Sequence, residues 1–142
     1  MLAPKKTKHR KWQNARKSPE RLMRPDTRGI TLAFGSFGLK ATSAARITSN
    51  QIEAARRALT RAAGKNAKVW IRIFPDRPFT RKPAEVRMGS GKGDLAGYVS
   101  EVHPGRVIFE VDGAPADMAR EALRKAGTKL PLSVRIIARD AR

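Results

Sequence analysis

Between residues 48 and 74 the apolar pattern changes period, and that change limits what the chain can fold into. Ile52, Ala55, Leu59 and Ala62 recur at helical spacing. Thr48 precedes them as an N-cap and Gln51 completes a capping box. Ile47 and Ile52 occupy the N′ and N4 positions of a hydrophobic staple. Gly64 ends the helix as a C′ residue. Directly afterwards, residues 68–74 alternate: Val69, Ile71 and Ile73 share one face, and Trp70, Arg72 and Phe74 the other. A helix with one apolar stripe, followed at once by a strand with one apolar face, has to bury both in one core between layers.

The remaining segments extend this plan. Residues 30–34 alternate and are expected to form a strand, with 35–38 as a turn and 39–41 resuming the strand. Residues 98–102 and 106–112 flank Pro104-Gly105 and are expected to pair as a hairpin. A second helix is expected to start at residues 112–115 and run through Ala126. Its buried stripe is Ala119, Ala122, Leu123 and Ala126, and Gly127 ends it. Residues 132–137 read as the closing strand. The order predicts an α+β domain, a two-layer mixed β-sheet with two helices on one face. Residues 1–28 are expected to form a basic N-terminal extension, residues 29–142 the globular domain, and residues 76–94 a protruding loop in which 80–83 continue an irregular, basic connector stiffened by prolines.

Charge narrows the function. The 142 residues carry 31 Lys and Arg against 12 acids, a net charge of +19, which points to a polyanion as partner. The extension concentrates this charge in Lys5, Lys6, Lys8, Arg10, Lys11, Arg16 and Lys17. Its self-repulsion and sparse apolar surface predict disorder when the arm is alone. Trp12 is the exception there, and either stacks on a base or packs back on the domain. On the capped helix, Arg56, Arg57 and Arg61 lie outside the apolar stripe. Glu53 can brace Arg57, but one carboxylate cannot neutralise three arginines, so phosphate contact is the favoured reading.

The stretch Arg87-Met88-Gly89-Ser90-Gly91-Lys92-Gly93 sets glycines between cations. Glycine permits sharp turns and close backbone approach. It is not a Walker loop, because Val86 and Gly93 fail the two ends of that pattern. It is not a dinucleotide fingerprint either, because a strand rather than a helix follows the glycines. The unexceptional alternative is a flexible hairpin tip. With no cysteine, disulfides and thiolate metal sites are excluded. Asp76, Glu85 and Asp94 flank the loop and have the chemistry for Mg²⁺, but pairing with Arg77, Arg81 and Arg87 is the stronger expectation. His9 and His103 have no candidate nucleophile near them in sequence, which argues against catalysis. No apolar run approaches the length of a transmembrane helix, and the N-terminus lacks the apolar core of a secretory signal.

Several motifs together carry a resemblance: Gln51-Ile-Glu-Ala-Ala-Arg-Arg57, Val69-Trp-Ile-Arg-Ile-Phe-Pro-Asp-Arg-Pro78, Lys82-Pro83 and Val86-Arg-Met-Gly-Ser-Gly-Lys-Gly93. Pro104-Gly-Arg-Val107, Phe109-Glu110, Lys129-Leu-Pro131, Phe34-Gly-Ser-Phe-Gly38 and the Met-Leu-x-Pro-Lys start complete the set. In this spacing the chain closely resembles the bacterial large-subunit ribosomal protein sixteen family. Residues 18–28 depart from the family pattern, being longer and less glycine-rich than its usual linker.

The resemblance implies an α/β-hammerhead-like domain bound to large-subunit ribosomal RNA (rRNA). It also implies a position beside aminoacyl-site and peptidyl-site transfer RNA (A-site and P-site tRNA), and entry late in subunit assembly. The loop from Arg81 and Lys82 through Arg87, Met88, Gly89, Ser90, Gly91, Lys92 and Gly93 is then the part nearest the peptidyl-transferase centre. Arg87 matches an arginine that is hydroxylated in some members. The rRNA contacts implied are Lys5, Lys6, Lys8, Arg10, Lys11, Trp12, Arg16, Lys17, Arg56, Arg57, Arg61 and Arg77. The partners implied are rRNA, both tRNAs and neighbouring ribosomal proteins in the cytoplasm, with no membrane, cofactor, metal or homo-oligomer. The alternative is a free-standing basic RNA chaperone or nucleoid-type protein, which would not need a glycine loop fixed at one place.

Overall fold

The computed structural model describes residues 2–13 and 19–139. Its elements are α1 (Pro19–Met23), β1 (Phe37–Ala41), β2 (Ala45–Thr48), α2 (Ser49–Ala63), β3 (Lys68–Ile71), β4 (Arg77–Arg81), β5 (Asp94–Val102), β6 (Val107–Asp112), α3 (Ala116–Gly127) and β7 (Val134–Ala138). The α+β class is as the sequence predicts. The strands divide into a four-stranded sheet of order β3-β6-β1-β7 and a three-stranded sheet of order β2-β5-β4. All described pairings are antiparallel.

Helix α2 forms as its sequence dictates. The Thr48 side chain accepts from the Gln51 N–H at 3.4 Å, and the Gln51 side chain accepts from the Thr48 N–H at 3.0 Å. Ile52, Ala55, Leu59 and Ala63 are buried along it. The last of these replaces the expected Ala62, which is half-buried. Along α3 the expected stripe of Ala119, Ala122, Leu123 and Ala126 is buried as well. Gly127 ends α3 for a different reason than a left-handed cap. A Cβ there would lie 2.7 Å from Val134 Cγ2, so glycine lets β7 approach the helix. The two helices pack on each other, α3 also against β1, β6 and β7, and α2 against β2, β3 and β5. Leu39, Ile47, Ile52, Leu59, Phe109 and Leu123 are all fully buried in the single core this creates.

Three sequence expectations are corrected. Residues 98–102 and 106–112 do not form a hairpin. Val102 pairs with Ala45 in the three-stranded sheet, while Val107 opens a strand between β3 and β1 in the other. The near-continuous burial of β6 reflects that central place, since both of its faces are covered. Residues 80–83 are not wholly an irregular connector, because β4 runs through Arg81 and pairs with β5. Its Pro78 is tolerated because β4 is an edge strand.

The third correction concerns residues 30–34, which alternate yet form no strand. This segment crosses the sheet over Glu110, whose side chain is fully buried. The Ala33, Phe34 and Gly35 N–H groups all donate to the Glu110 carboxylate, the last two at 2.7 Å, and Arg72 pairs with it. A Cβ on Gly35 would come within 2.6 Å of the Val111 carbonyl oxygen, so only glycine lets the segment lie this close. Burial pushes the Glu110 carboxyl up, but the three N–H donors and Arg72 outweigh it and hold the group below its ordinary value. The backbone needs met by a ladder in a strand are met here by one carboxylate.

Candidate nucleic-acid interface

The glycine stretch is the tip of the β4–β5 hairpin. Arg81 and Asp94 are the last paired residues, and residues 82–93 form the loop beyond them. Gly89, Ser90 and Gly91 have φ of 108°, 54° and 94°, three successive residues in the left-handed half of conformational space. A Cβ on Gly89 or Gly91 would meet no protein atom within 4 Å, so these glycines serve the turn and whatever approaches it from outside. Met88 is 94% exposed, an apolar side chain held out at the tip. Two lysines tie the loop back: Lys82 Nζ donates to the Gly89 carbonyl, and Lys92 Nζ donates to the Trp12 carbonyl. Arg81 and Arg87 are exposed and hold no ion pair among the described residues. They are the loop cations left to meet a polyanion.

The N-terminal arm lies against the root of this hairpin. Leu2 packs on the core, Lys11 Nζ is 3.8 Å from an Asp94 carboxylate oxygen, and the Arg77 guanidinium sits 5.6 Å from the centre of the Trp12 ring. Arg77 also reaches Glu101 at 3.2 Å and its side chain is only 12% exposed. Of the two fates open to Trp12, the structure has it packed back on the domain through Arg77 while it stays 41% exposed. Lys5, Lys6, Lys8 and Arg10 are exposed along the arm. Arg16 and Lys17 lie outside the described residues. The structure thus brings Lys11, Trp12, Arg77, Lys92 and Asp94 together, and no sequence pattern joins these distant positions. Asp94 takes Lys11 rather than a loop arginine.

The arginines of α2 separate into two groups. Glu53 accepts from Arg56 at 2.9 and 2.5 Å and from Arg57 at 3.2 Å. The bond from Arg56, helped by a weaker one from Arg57, outweighs the upward push of burial and holds the Glu53 carboxyl down at about 2. Arg61 has no such partner among the described residues. It lines a groove of about 410 Å³ with Lys125 and Lys129, which sequence reasoning missed. The four-residue spacing of those lysines was visible, but their meeting with Arg61 depends on how α3 packs on α2. Among the described residues no group of three His, Asp or Glu is placed to hold a metal ion, and no helix is long and apolar enough to cross a membrane.

A net charge of +19 on an α+β scaffold, with an arm and a hairpin loop that both present cations, defines the class as a basic, nucleic-acid-associated protein. Residues 4–137 match the family described as ribosomal protein L16p/L10e, and the chain belongs to that family. Three similar proteins carry the name large ribosomal subunit protein uL16. The one from Rhodopseudomonas palustris (strain BisB18) is 57% identical over 141 residues, covering 99% of each chain. The one from Parabacteroides distasonis is 53% identical over 139 residues, covering 98% of this chain and 93% of its own. The one from Verminephrobacter eiseniae is 50% identical over 139 residues, covering 98% and 97%.

Proposed function

We propose that this chain is a structural constituent of the large ribosomal subunit in the bacterial cytoplasm, not an enzyme. Its domain and arm grip rRNA, and its hairpin loop approaches A-site and P-site tRNA near the peptidyl-transferase centre late in subunit assembly. Family membership supports the coarse statement. The observation that carries the finer one is the loop itself. Its left-handed glycines face open space, its root is braced by the arm, and Arg81 and Arg87 have no ion-pair partner among the described residues. Proteins on structured RNA hold phosphates with Lys and Arg, while close approach needs backbone without side chains. Arg87 is the proposed hydroxylation position, which fragment-ion mass spectrometry of the ribosome-derived protein would separate from oxidation of the exposed Met88 beside it.

The test is reconstitution of large subunits lacking this protein. The Gly89→Val plus Gly91→Val variant places branched side chains at positive φ and adds bulk facing outward. The variant should unfold near the parent temperature and still bind rRNA fragments. Subunits carrying it should bind tRNA poorly or stall late in assembly. Full tRNA binding and peptide-bond formation would reduce the loop to an inert hairpin tip.

A further inference from the structure

A cleft of about 420 Å³ opens beside the end of β3, within the range of roughly 300–1,000 Å³ that holds small organic ligands. Its floor includes Ile73, which is 5% exposed, and its wall includes Phe74, which is 45% exposed. Three carboxylates line it: Asp26, Asp76 and Glu101. Glu101 is taken by Arg46 at 3.1 Å and Arg77 at 3.2 Å, and Asp26 lies 3.9 Å from Arg106. Asp76 alone of the three is exposed and has no ion pair among the described residues. Arg106 also lines the cleft. It gives one N–H to the Arg28 carbonyl at 3.0 Å, leaving further donors of its fork.

These groups select a ligand by chemistry. An ionised carboxylate only accepts, and its two oxygens match two adjacent N–H donors. Among the four RNA bases only guanine presents adjacent imino and amino donors on its Watson–Crick edge. Adenine, cytosine and uracil each set an acceptor against the second oxygen. An exposed phenylalanine supplies the stacking face that single-stranded RNA recognition uses. Arg106 suits the phosphate of the same nucleotide and disfavours an arginine side chain as the occupant.

We propose that this cleft takes an unstacked guanine of RNA, with the base against Phe74, its Watson–Crick edge on Asp76 and its phosphate toward Arg106. The inference rests on the rRNA-binding reading and adds a base-specific contact to a surface otherwise suited to phosphates.

The experiment measures binding of the full chain to synthetic RNA hairpins carrying one bulged guanine, inosine, adenine or abasic residue. The salt is set high enough to weaken non-specific association. The bulged-guanine hairpin should bind about tenfold tighter than the others, as loss of one good base contact would give. Inosine should fall with the weak group because it lacks the amino donor. Asp76→Asn should remove the preference without lowering affinity for the abasic hairpin. Phe74→Ala should lower bulged-guanine affinity about tenfold. Unfolding temperatures near the parent's would show that both variants fold. Equal affinity for all bulges, or a preference that survives Asp76→Asn, overturns the pocket and leaves the ribosomal reading standing. Asp76-dependent binding of arginine amide without guanine preference overturns it in favour of a protein side chain. Failure of the parent to bind any hairpin likewise overturns the pocket, while the ribosomal reading, which rests on family membership, stands.

Discussion

At the scale of single residues, Glu110 shows how one buried charge organises a segment. Its carboxylate collects three backbone N–H groups and Arg72, so removing the charge strands several donors at once. Glu110→Gln keeps the size but turns an amide toward N–H groups. We expect it to cost about 3 kcal/mol in urea unfolding, as breaking a buried pair does. The pH dependence follows in sign. Burial raises this carboxyl, but the N–H donors and Arg72 lower it by more, so the folded value lies below the ordinary 4.5. Glu53 and Glu121 lie at about 2, each held down chiefly by its Arg neighbour. In each case the unfolded chain takes up the proton first as pH falls. Stability is therefore full above about 4.5 and is lost progressively towards about 2. Urea midpoints at pH 6, 4 and 3 should trace that decline, and Glu110→Gln should flatten it. A decline of unchanged depth in the variant would remove Glu110 from the account.

Elements carry the division of labour between fold and surface. Leu59 is fully buried on α2, so Leu59→Ala should cost about 2–4 kcal/mol of stability. Arg57→Ala with Arg61→Ala touches only exposed side chains, so thermal unfolding should barely move while rRNA affinity drops. The reverse ranking would mean the faces of α2 are misassigned. The hairpin and arm form a second unit. Trp12 meets Arg77 in β4, and its carbonyl accepts from Lys92 at the base of the loop. Trp12→Ala keeps that carbonyl but removes the ring that seats the arm on Arg77, so residues 82–93 should loosen, seen as faster amide exchange across the loop, with exchange in α2 and α3 unchanged. Unaltered loop exchange would show that the arm lies on the hairpin without bracing it.

For the whole molecule, charge governs association. RNA affinity should fall steeply with salt because each phosphate contact releases counterions, and deleting residues 1–17 should flatten the log-log slope. An unchanged slope would mean that the arm touches no phosphate. Much of this molecule was legible in the sequence, because helix periodicity, capping and charge density are local properties. The span of α2, the buried stripe of α3, the α+β class and the basic character all follow from neighbours within a turn or two. The glycine loop was legible for the same reason, since positive φ leaves its mark in residue type. Strand partnership was not. Residues 98–102 and 106–112 look like a hairpin because alternation fixes which face a side chain takes and says nothing of which strand lies beside it. Residues 30–34 carry a strand's alternation, yet their N–H groups go to Glu110, 75 to 77 positions away. Separation along the chain likewise hid the meeting of Trp12 with Arg77, of Arg61 with Lys125 and Lys129, and of Phe74 and Asp76 with Arg106 in one cleft. The sequence by itself determined the two long helices, most of their buried faces and the cations available to RNA. Only the tertiary structure decided which of those cations are already neutralised by carboxylates, because burial and pairing belong to contacts that the chain makes after it has folded back on itself.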